Sequence, residues 1–293
     1  MRQSDPNIKI PVDLTNPGQF FACCGLLELA GRVDNNSEGC FRDSHFLLRT
    51  AAIDVLDKFF CCDVDVDTSY KPTDPEEKDD EDDPHDAKRG RTFPMRLLEP
   101  FDLLLNWWTE REAQRQKLKL WTAGQRVTDL LNGHYKKKRQ RGRKGAPDKF
   151  IKLYTPSTRE HFAKVVRDYP TDWLRKAVAI DAPAAFSFDS RLSRNNALDL
   201  GHFSGGTLAF SPAVDVLSLI GLQRFRPEML ETWNRNLYFT WSEFLPVIVA
   251  PLAVIGGIAP LRDLCFEFPI KARDSQGRYK LFGHAQPVRS PYV

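Results

Sequence analysis

The sequence contains no uninterrupted apolar run long enough to cross a membrane. A membrane-spanning helix needs about 20 consecutive apolar residues. Residues 244–260 come closest, but prolines and glycines interrupt them. The start of the chain, MRQSDPNIKIP, lacks the apolar centre of a secretory signal peptide. We therefore expect a cytoplasmic protein that makes no contact with a membrane.

The six cysteines lack the spacing that zinc sites use. Four of them form two adjacent pairs, at positions 23–24 and 61–62, and the chain has no CxxC motif. Adjacent cysteines in apolar sequence favour buried, reduced thiols. We expect neither a disulfide framework nor a structural metal.

Recognisable catalytic motifs are missing as well. The six histidines are scattered and show no HExxH spacing. The chain has no P-loop, no GxGxxG and no GxSxG. Metal-assisted chemistry needs a few carboxylates fixed on a rigid scaffold, and Asp189 and Asp199 are isolated. We predict a protein that is not an enzyme, without catalytic residues, metal ligands or a cofactor.

What the chain does contain is a strongly patterned helix over residues 16–29. A short stretch of alternating apolar and polar residues at 8–14 precedes it and predicts a strand. Thr15 or Asn16 can cap the helix, and Pro17 fits its first turn. Phe20, Phe21 and their helical neighbours predict a core face, and Gly25 leaves room for a close neighbour.

The rest of the chain predicts a mixture of helices and strands. Helices are predicted over residues 51–60, 125–131, 158–167 and 212–222. Strands are predicted over residues 40–49, on both sides of Pro100, and over 237–241 and 247–255, with a hairpin joining 264–272 to 279–284. Helices mixed with mostly antiparallel strands, and joined by long charged loops, indicate an α+β fold.

An acidic segment occupies residues 63–86. It holds twelve Asp or Glu against two lysines, a net charge of −10. The whole chain is +3, so the remainder sums to +13. Such a segment buries too little apolar surface to fold, which predicts a solvated loop over residues 63–90. This loop either competes with DNA for the basic remainder of the protein or serves solubility alone.

The clearest functional signal is the basic run YKKKRQRGRKGAPDKF at residues 135–150. Eight Lys or Arg against Asp148 give it a net charge of +7. Interruption by two glycines and a proline predicts a basic loop over residues 134–149 that binds a polyanion. A solvated loop without a partner is the alternative. The predicted contacts are Lys136, Lys137, Lys138, Arg139, Arg141, Arg143, Lys144 and Lys149.

Aromatic residues near the basic run offer a second kind of contact. Trp107, Trp108, Trp121 and Tyr135 can stack on nucleotide bases, as in proteins that bind single strands. Such residues more often lie in a core or an interface. We therefore assign base stacking to none of them from the sequence.

Further hydrogen-bond donors are candidates for nucleic-acid contacts. They are Arg191, Arg194, Asn195, Asn196, Arg224 and Arg226. The first four can grip phosphate or read a base edge, although a hydrogen-bonded turn explains them equally well. The last two follow a predicted helix, whose dipole alone explains cations at that place. The charge runs divide the chain into an N-terminal lobe (1–133), the basic loop and a C-terminal lobe (150–293).

Four further blocks of the sequence are NPGQFFACCGLLELA at 16–30, LWTAGQ at 120–125, FSFDSR at 186–191 and IGLQRFRP at 220–227. In these blocks the chain resembles a CRISPR-associated family of type I-U systems, also called I-G, with large-subunit-like members of the Csb type. Members of that family are subunits of Cascade-type effector complexes. None of the blocks is a catalytic signature.

The resemblance implies a role in a crRNA-guided complex. It implies helping to recognise the short motif beside the target and holding DNA while the R-loop forms. The implied partners are crRNA, target DNA, other Cascade subunits and the recruited helicase-nuclease. The chain is shorter than typical large subunits. It therefore either carries out motif recognition and R-loop stabilisation alone or shares them with another subunit. Two alternatives remain, a metal-dependent nuclease of the same system and an assembly protein without direct nucleic-acid contact.

Overall fold

The computed structural model describes residues 5–66, 95–105, 135–139, 150–154, 158–180, 186–191, 208–230, 235–272 and 280–289. Within these residues lie five helices and several sheets whose strands are mostly antiparallel. The predicted α+β class is confirmed. No helix in this part of the chain is both long enough and apolar enough to span a membrane.

The helices are α1 (Pro17–Val33), α2 (Val55–Cys61), α3 (Thr158–Asp168), α4 (Pro212–Gly221) and α5 (Ala250–Val254). The predictions for α1, α3 and α4 are confirmed, and α2 is shorter than predicted. The helix predicted over 125–131 lies outside the described residues.

The strands, in chain order, are β1 (Ile8–Pro11), β2 (Glu38–Arg42), β3 (His45–Arg49), β4 (Val64–Val66), β5 (Met95–Leu97), β6 (Leu103–Leu105), β7 (Tyr135–Arg139), β8 (Phe150–Tyr154), β9 (Val178–Ile180), β10 (Phe186–Ser187), β11 (Leu208–Phe210), β12 (Glu228–Met229), β13 (Arg235–Phe239), β14 (Leu245–Pro246), β15 (Cys265–Ala272), β16 (Lys280–Phe282) and β17 (Gln286–Val288). The strands predicted on both sides of Pro100 are confirmed as β5 and β6. The predicted C-terminal hairpin is confirmed as β15 and β16, which pair antiparallel.

Helix α1 lies at the centre of the core. Its N-cap is Asn16, whose Oδ1 accepts hydrogen bonds from the amides of Gly18 and Gln19 at 3.1 and 3.4 Å. Pro17 occupies the first turn, where a missing N–H costs nothing. Residues 17–31 are all buried, so the predicted core face extends around the whole helix. Such a helix needs neighbours on every side.

Helix α4 crosses α1 at very close range. A Cβ atom on Gly25 would lie 2.0 Å from the carbonyl oxygen of Leu217, and one on Gly221 would lie 2.2 Å from that of Phe21. Each glycine therefore makes room for the backbone of the other helix. The close neighbour predicted for Gly25 is α4.

Two sheets enclose this helix pair. The first has the antiparallel order β1-β3-β2-β14, and the second has the order β10-β16-β15-β13-β12, with β17 also paired to β15. The pairing of β10 with β16 is parallel. Aromatic side chains from both sheets meet on α1: Phe20 stacks on Tyr238 at 4.4 Å, and Phe41 packs at 4.9 Å from Phe20 and from Trp241. Residues of both predicted lobes thus contribute to one core.

Two predictions of single strands are wrong. Residues 40–49 lie in the hairpin of β2 and β3, because Asp43 and Ser44 have φ of 49° and 57° and form a two-residue turn. Residues 247–255 contain α5 instead of a strand. Pro251 lies in the first turn of α5, and Gly256 follows the helix with φ of 68°.

The surface around α5 exposes several large apolar side chains. Ile248, Leu252, Ile255 and Leu264 are exposed, whereas Ala253 and Val254 are buried. Single exposed apolar residues are ordinary in folded proteins. Here their positions show that α5 buries one side and leaves the other in solvent.

The two predicted charged loops each begin with a strand. Residues 64–66 of the segment predicted as an acidic loop form β4, which pairs with β5 because its two valines alternate with Asp65. The rest of that segment lies outside the described residues. The basic run begins with β7.

Candidate nucleic-acid interface

The first four cations of the basic run lie on a strand. β7 and β8 form a two-stranded antiparallel ribbon that pairs with no other described strand. The prediction of a loop starting at residue 134 is therefore wrong for residues 135–139. The β8 sequence FIKLY is rich in residues that favour strands. Along the edge that the two strands share, the backbone of β8 pairs with the backbone of β7. Counting the charges of the basic run does not predict this strand, because the residues that favour a strand lie in β8.

The register of the ribbon fixes which residues share a face. The opposed pairs are Tyr135 and Tyr154, Lys136 and Leu153, Lys137 and Lys152, Lys138 and Ile151, and Arg139 and Phe150. Successive residues of a strand lie on opposite faces, and opposed residues lie on the same face.

The other predicted residues are distributed as follows. Outside the described residues lie Arg141, Arg143, Lys144, Lys149, Arg194, Asn195 and Asn196. The structure places Arg191, Arg224 and Arg226 far along the chain from the ribbon, and the first two contact buried carboxylates.

Arg191 binds the carboxylate of Asp189, which is 1% exposed. Its Nε lies 2.9 and 3.0 Å from the two carboxylate oxygens, and its Nη2 lies 2.5 Å from Oδ2. Its Nη1 donates to the carbonyl oxygen of Arg175. Burial acts to lower the pKa of Arg191, but the hydrogen bonds and charge of Asp189 outweigh burial and raise it. A phosphate would have to compete with this carboxylate.

Asn16 connects the same carboxylate to the start of α1. Its Nδ2 donates to Oδ1 of Asp189 at 2.8 Å, and its Oδ1 accepts from the amide of Ser190 at 3.2 Å. A Cβ on Gly18 would lie 2.1 Å from the carbonyl oxygen of Phe188. The N-cap of α1 therefore also holds residues 188–190 in place, a role that the capping signal alone did not predict.

Arg224 binds the second buried carboxylate, Glu28, which is 1% exposed. Its Nη1 lies 3.1 Å from Oε2 of Glu28, while Nε of Arg32 lies 2.9 Å from Oε1. A buried carboxylate needs such partners, because an uncompensated charge inside a protein is costly. Arg226, two residues further on, is exposed.

Three of the four resemblance blocks meet on α1. The first block begins with Asn16 and supplies most of the helix, the block at 186–191 contacts its N-terminus, and the block at 220–227 contacts its second half. The block at 120–125 lies outside the described residues. The three blocks that are described therefore build the core. The paired glycines at 25 and 221 are the sequence signal for this packing, but nothing in the sequence shows that they pair.

A surface cavity of about 460 Å³ lies between the end of α2 and the β5–β6 turn. Its lining includes Cys61, Asp63, Arg96, Glu99 and Asp102. Arg96 is paired with Asp102 at 2.9 Å. Three carboxylates and one arginine line this cavity, and their net negative charge disfavours the binding of a polyanion. Among the residues that the structure describes, no group of three His, Cys, Asp or Glu could hold a metal ion.

The thiols have environments that suppress their reactivity. Five of the six cysteines are buried, and Cys61 is exposed. Burial raises the pKa of Cys23 and Cys24 well above the ordinary value and raises that of Cys40 and Cys265 to about 11. The predicted burial is confirmed for all but Cys61.

Comparisons with protein-family models, with curated proteins and with solved structures find no match. The functional class of the protein therefore rests on the β7–β8 ribbon and on the sequence blocks.

Proposed function

We propose that this protein is a non-enzymatic nucleic-acid-binding subunit of a type I CRISPR effector complex of the Cascade kind. The observation that carries nucleic-acid binding is the ribbon. Its ten strand residues contain five cations and no carboxylate. Four of these cations are consecutive on β7, and Lys152 lies opposite Lys137.

A ribbon of this charge attracts a polyanion. Cations that neutralise phosphates release condensed counterions, so binding weakens steeply as salt rises. The basic run continues beyond β7, and residues 136–149 together carry +7, eight cations against Asp148. The segment therefore has enough charge for several phosphate contacts.

The sequence blocks support the assignment to a Cascade complex. In guided complexes base pairing reads the target, while protein subunits contact the flanking motif and the backbone. We assign this chain to motif recognition and R-loop stabilisation in the cytoplasm. Its partners in this proposal are crRNA, target DNA, other Cascade subunits and the recruited helicase-nuclease.

The binding proposal is tested by salt titration. Purified protein is titrated with labelled DNA by fluorescence anisotropy at several KCl concentrations, with Lys136, Lys137, Lys138, Arg139, Arg141, Arg143 and Lys144 changed together to Ala. If about four of these cations contact duplex phosphates, the slope of log K against log salt becomes shallower by roughly 3 to 4.

A control variant removes three exposed cations elsewhere. Lys9, Lys164 and Lys271 are exposed on β1, α3 and β15, and their change to Ala should leave the slope unaltered. Equal slopes in the seven-residue variant and the wild type would show that the ribbon is not the contact.

The assembly proposal is tested by tagged purification from cells that carry the whole CRISPR operon. Co-purification of crRNA and Cascade subunits supports it. Recovery of Cascade subunits, together with no nucleic-acid binding by the purified protein, would favour the assembly protein. Cleavage of target DNA that depends on Mg²⁺ would favour the nuclease.

A further inference from the structure

The solvent side of α5 carries a stripe of large apolar side chains. Ile248, Leu252 and Ile255 follow one another at spacings of four and three residues, which places side chains on one side of a helix. They are 74%, 53% and 39% exposed, whereas Ala253 and Val254 on the other side of α5 are buried. The buried side holds α5 on the protein, and the stripe faces solvent.

Leu264 extends this stripe onto the neighbouring sheet. It is 46% exposed, and its amide donates a hydrogen bond to Oγ1 of Thr240 at 3.1 Å. Phe239, the residue before Thr240, packs against the end of α5, since a Cβ atom on Gly256 would lie 2.7 Å from its ring. The name α5 surface is used below for the side chains of Ile248, Leu252, Ile255 and Leu264. Together they expose about as much area as two fully exposed residues of their size.

No charge lies within the α5 surface. Residues 244–261, which include three of its four members, contain no charged or hydrogen-bonding side chain. Contiguous apolar surfaces on folded proteins mark sites of interaction. A partner that covers this surface must bring an apolar surface of its own, because a charge buried against it stays unpaired. Interfaces between identical subunits have this apolar, charge-poor centre.

The charged residues at the two ends of the α5 surface balance one another. At one end, Arg42 pairs with Glu243 at 3.6 Å, just before residue 244. At the other end, Arg262 is followed by the exposed Asp263. Helices that lie on membranes surround their apolar side with an excess of Lys and Arg, and this border has none. Two copies of it do not repel each other, although the chain outside the acidic segment sums to +13.

From the exposed apolar stripe and its neutral border, we propose that the α5 surface is the interface of a homodimer, in which it packs on the α5 surface of a second copy of this chain. A twofold axis near Leu252 pairs the surface with itself. The two stripes then run antiparallel. The border at Glu243 of one copy meets the border at Arg262 of the other, so charges of opposite sign come together. The inference does not depend on nucleic-acid binding.

The experiment measures the mass of the full chain in solution as a function of its concentration. Nuclease treatment and heparin chromatography first remove nucleic acid, which would otherwise join copies of a basic protein. Sedimentation equilibrium is then run from about 1 to about 200 μM, a range that includes the micromolar affinities of small interfaces. We expect a monomer at the lower limit and a dimer at the upper limit. The dissociation constant of the dimer should change less than about threefold between 0.1 and 1 M KCl, because the border has no net charge for salt to screen.

Ile248→Glu and Ile53→Glu form a matched pair of variants. The two isoleucines are 74% and 70% exposed, and they precede α5 and α2 respectively. Ile248→Glu places a carboxylate from each copy in the apolar interface, and we expect it to weaken dimerisation at least hundredfold. Ile53→Glu should dimerise as the wild type does. Thermal unfolding at about 1 μM, where each protein is a monomer, should be the same for all three.

Disulfide trapping tests the interface without adding charge. Leu252→Cys lies beside its own copy near the twofold axis, whereas Ile53→Cys lies away from it. Each is combined with Cys61→Ala, which removes the exposed native thiol. After oxidation in air with copper–phenanthroline, we expect a covalent dimer of the Leu252→Cys protein and a monomer of the Ile53→Cys protein on a non-reducing gel. Equal crosslinking of the two would overturn the inference.

A wild type that stays a monomer at every concentration also overturns the inference. Binding of that monomer to phosphatidylcholine vesicles, lost in Ile248→Glu, would assign the α5 surface to a membrane. Retention of Cascade subunits by the wild type and not by Ile248→Glu would assign it to another subunit. A dimer that Ile248→Glu leaves intact would place the contact elsewhere. Failure to bind DNA, in a protein that dimerises as expected, would overturn the proposed function and leave this inference standing.

Discussion

At the scale of single residues, Arg191 and Arg224 form ion pairs within the folded protein. Each places its guanidinium on a carboxylate that is about 1% exposed, Asp189 or Glu28. Loss of either arginine removes a charged partner from a buried carboxylate, which is costly even though Asn16 still donates to Asp189 and Arg32 still pairs with Glu28.

We predict that Arg191→Ala lowers the free energy of unfolding by about 2 kcal/mol, because charged hydrogen bonds to a buried carboxylate are lost while the guanidinium is partly solvated. Urea denaturation measures this loss. The salt slope for DNA binding should stay at the wild-type value. The control, Lys164→Ala on the exposed side of α3, should change neither quantity, and a shallower slope for Arg191→Ala would identify a phosphate contact.

At the scale of elements, the sequence predicted those helices and strands whose start, end or alternation is set by neighbouring residues in the chain. Asn16 and Pro17 mark the start of α1, and the alternation in β15 and β16 marks a hairpin. The strand predicted at residues 247–255 is wrong. Its β-branched residues favour a strand, but Pro251 lies in the first turn of a short helix and Gly256, with positive φ, follows the end of that helix.

The candidate interface was predicted in part. The charge run locates a cluster of cations, whose binding of nucleic acid stays a prediction. The placement of the first four on a strand depends on pairing with residues 150–154, which no property of the run itself reveals. The contacts of Asn16 with Asp189 and of Glu28 with Arg224 join residues that are far apart in sequence. Such pairings are set by packing of the whole core and not by local propensity.

A pair of alanine substitutions distinguishes helix from strand in α5. A strand would place residues 252 and 254 on one face, whereas in α5 Leu252 is 53% exposed and Val254 is buried. We predict a loss of about 2 kcal/mol for Val254→Ala, from its lost burial and the cavity left behind, and at most about 0.5 kcal/mol for Leu252→Ala. Thermal and urea unfolding measure both, and equal losses would contradict the helix.

At the scale of the whole molecule, buried thiols make stability depend on alkaline pH. Burial raises the pKa of Cys40 and Cys265 from 9.0 to about 11. Between these values the unfolded chain loses thiol protons that the folded protein keeps. The folded state then binds more protons than the unfolded state, so stability falls as pH rises.

We predict that the free energy of unfolding, measured with a reducing agent present, decreases from pH 9 to pH 11 by on the order of 1 kcal/mol for each of these thiols. The double variant Cys40→Ala with Cys265→Ala should lose less stability over the same range than the wild type loses. Cys61→Ala is the control, because Cys61 is exposed. A decrease as steep in the double variant as in the wild type would contradict the prediction.

The burial of α1 on every side has a consequence for how the protein is made. The helix is translated well before α4, β13 and β15, which cover it and follow it by more than 170 residues. At a synthesis rate of about 5 to 20 residues per second, α4 emerges roughly 10 to 40 s after α1. During that interval the phenylalanines and leucines of α1, which are buried on every side in the folded protein, lack these native neighbours. The nascent helix therefore exposes an apolar surface that favours association with other chains until α4 has been synthesised.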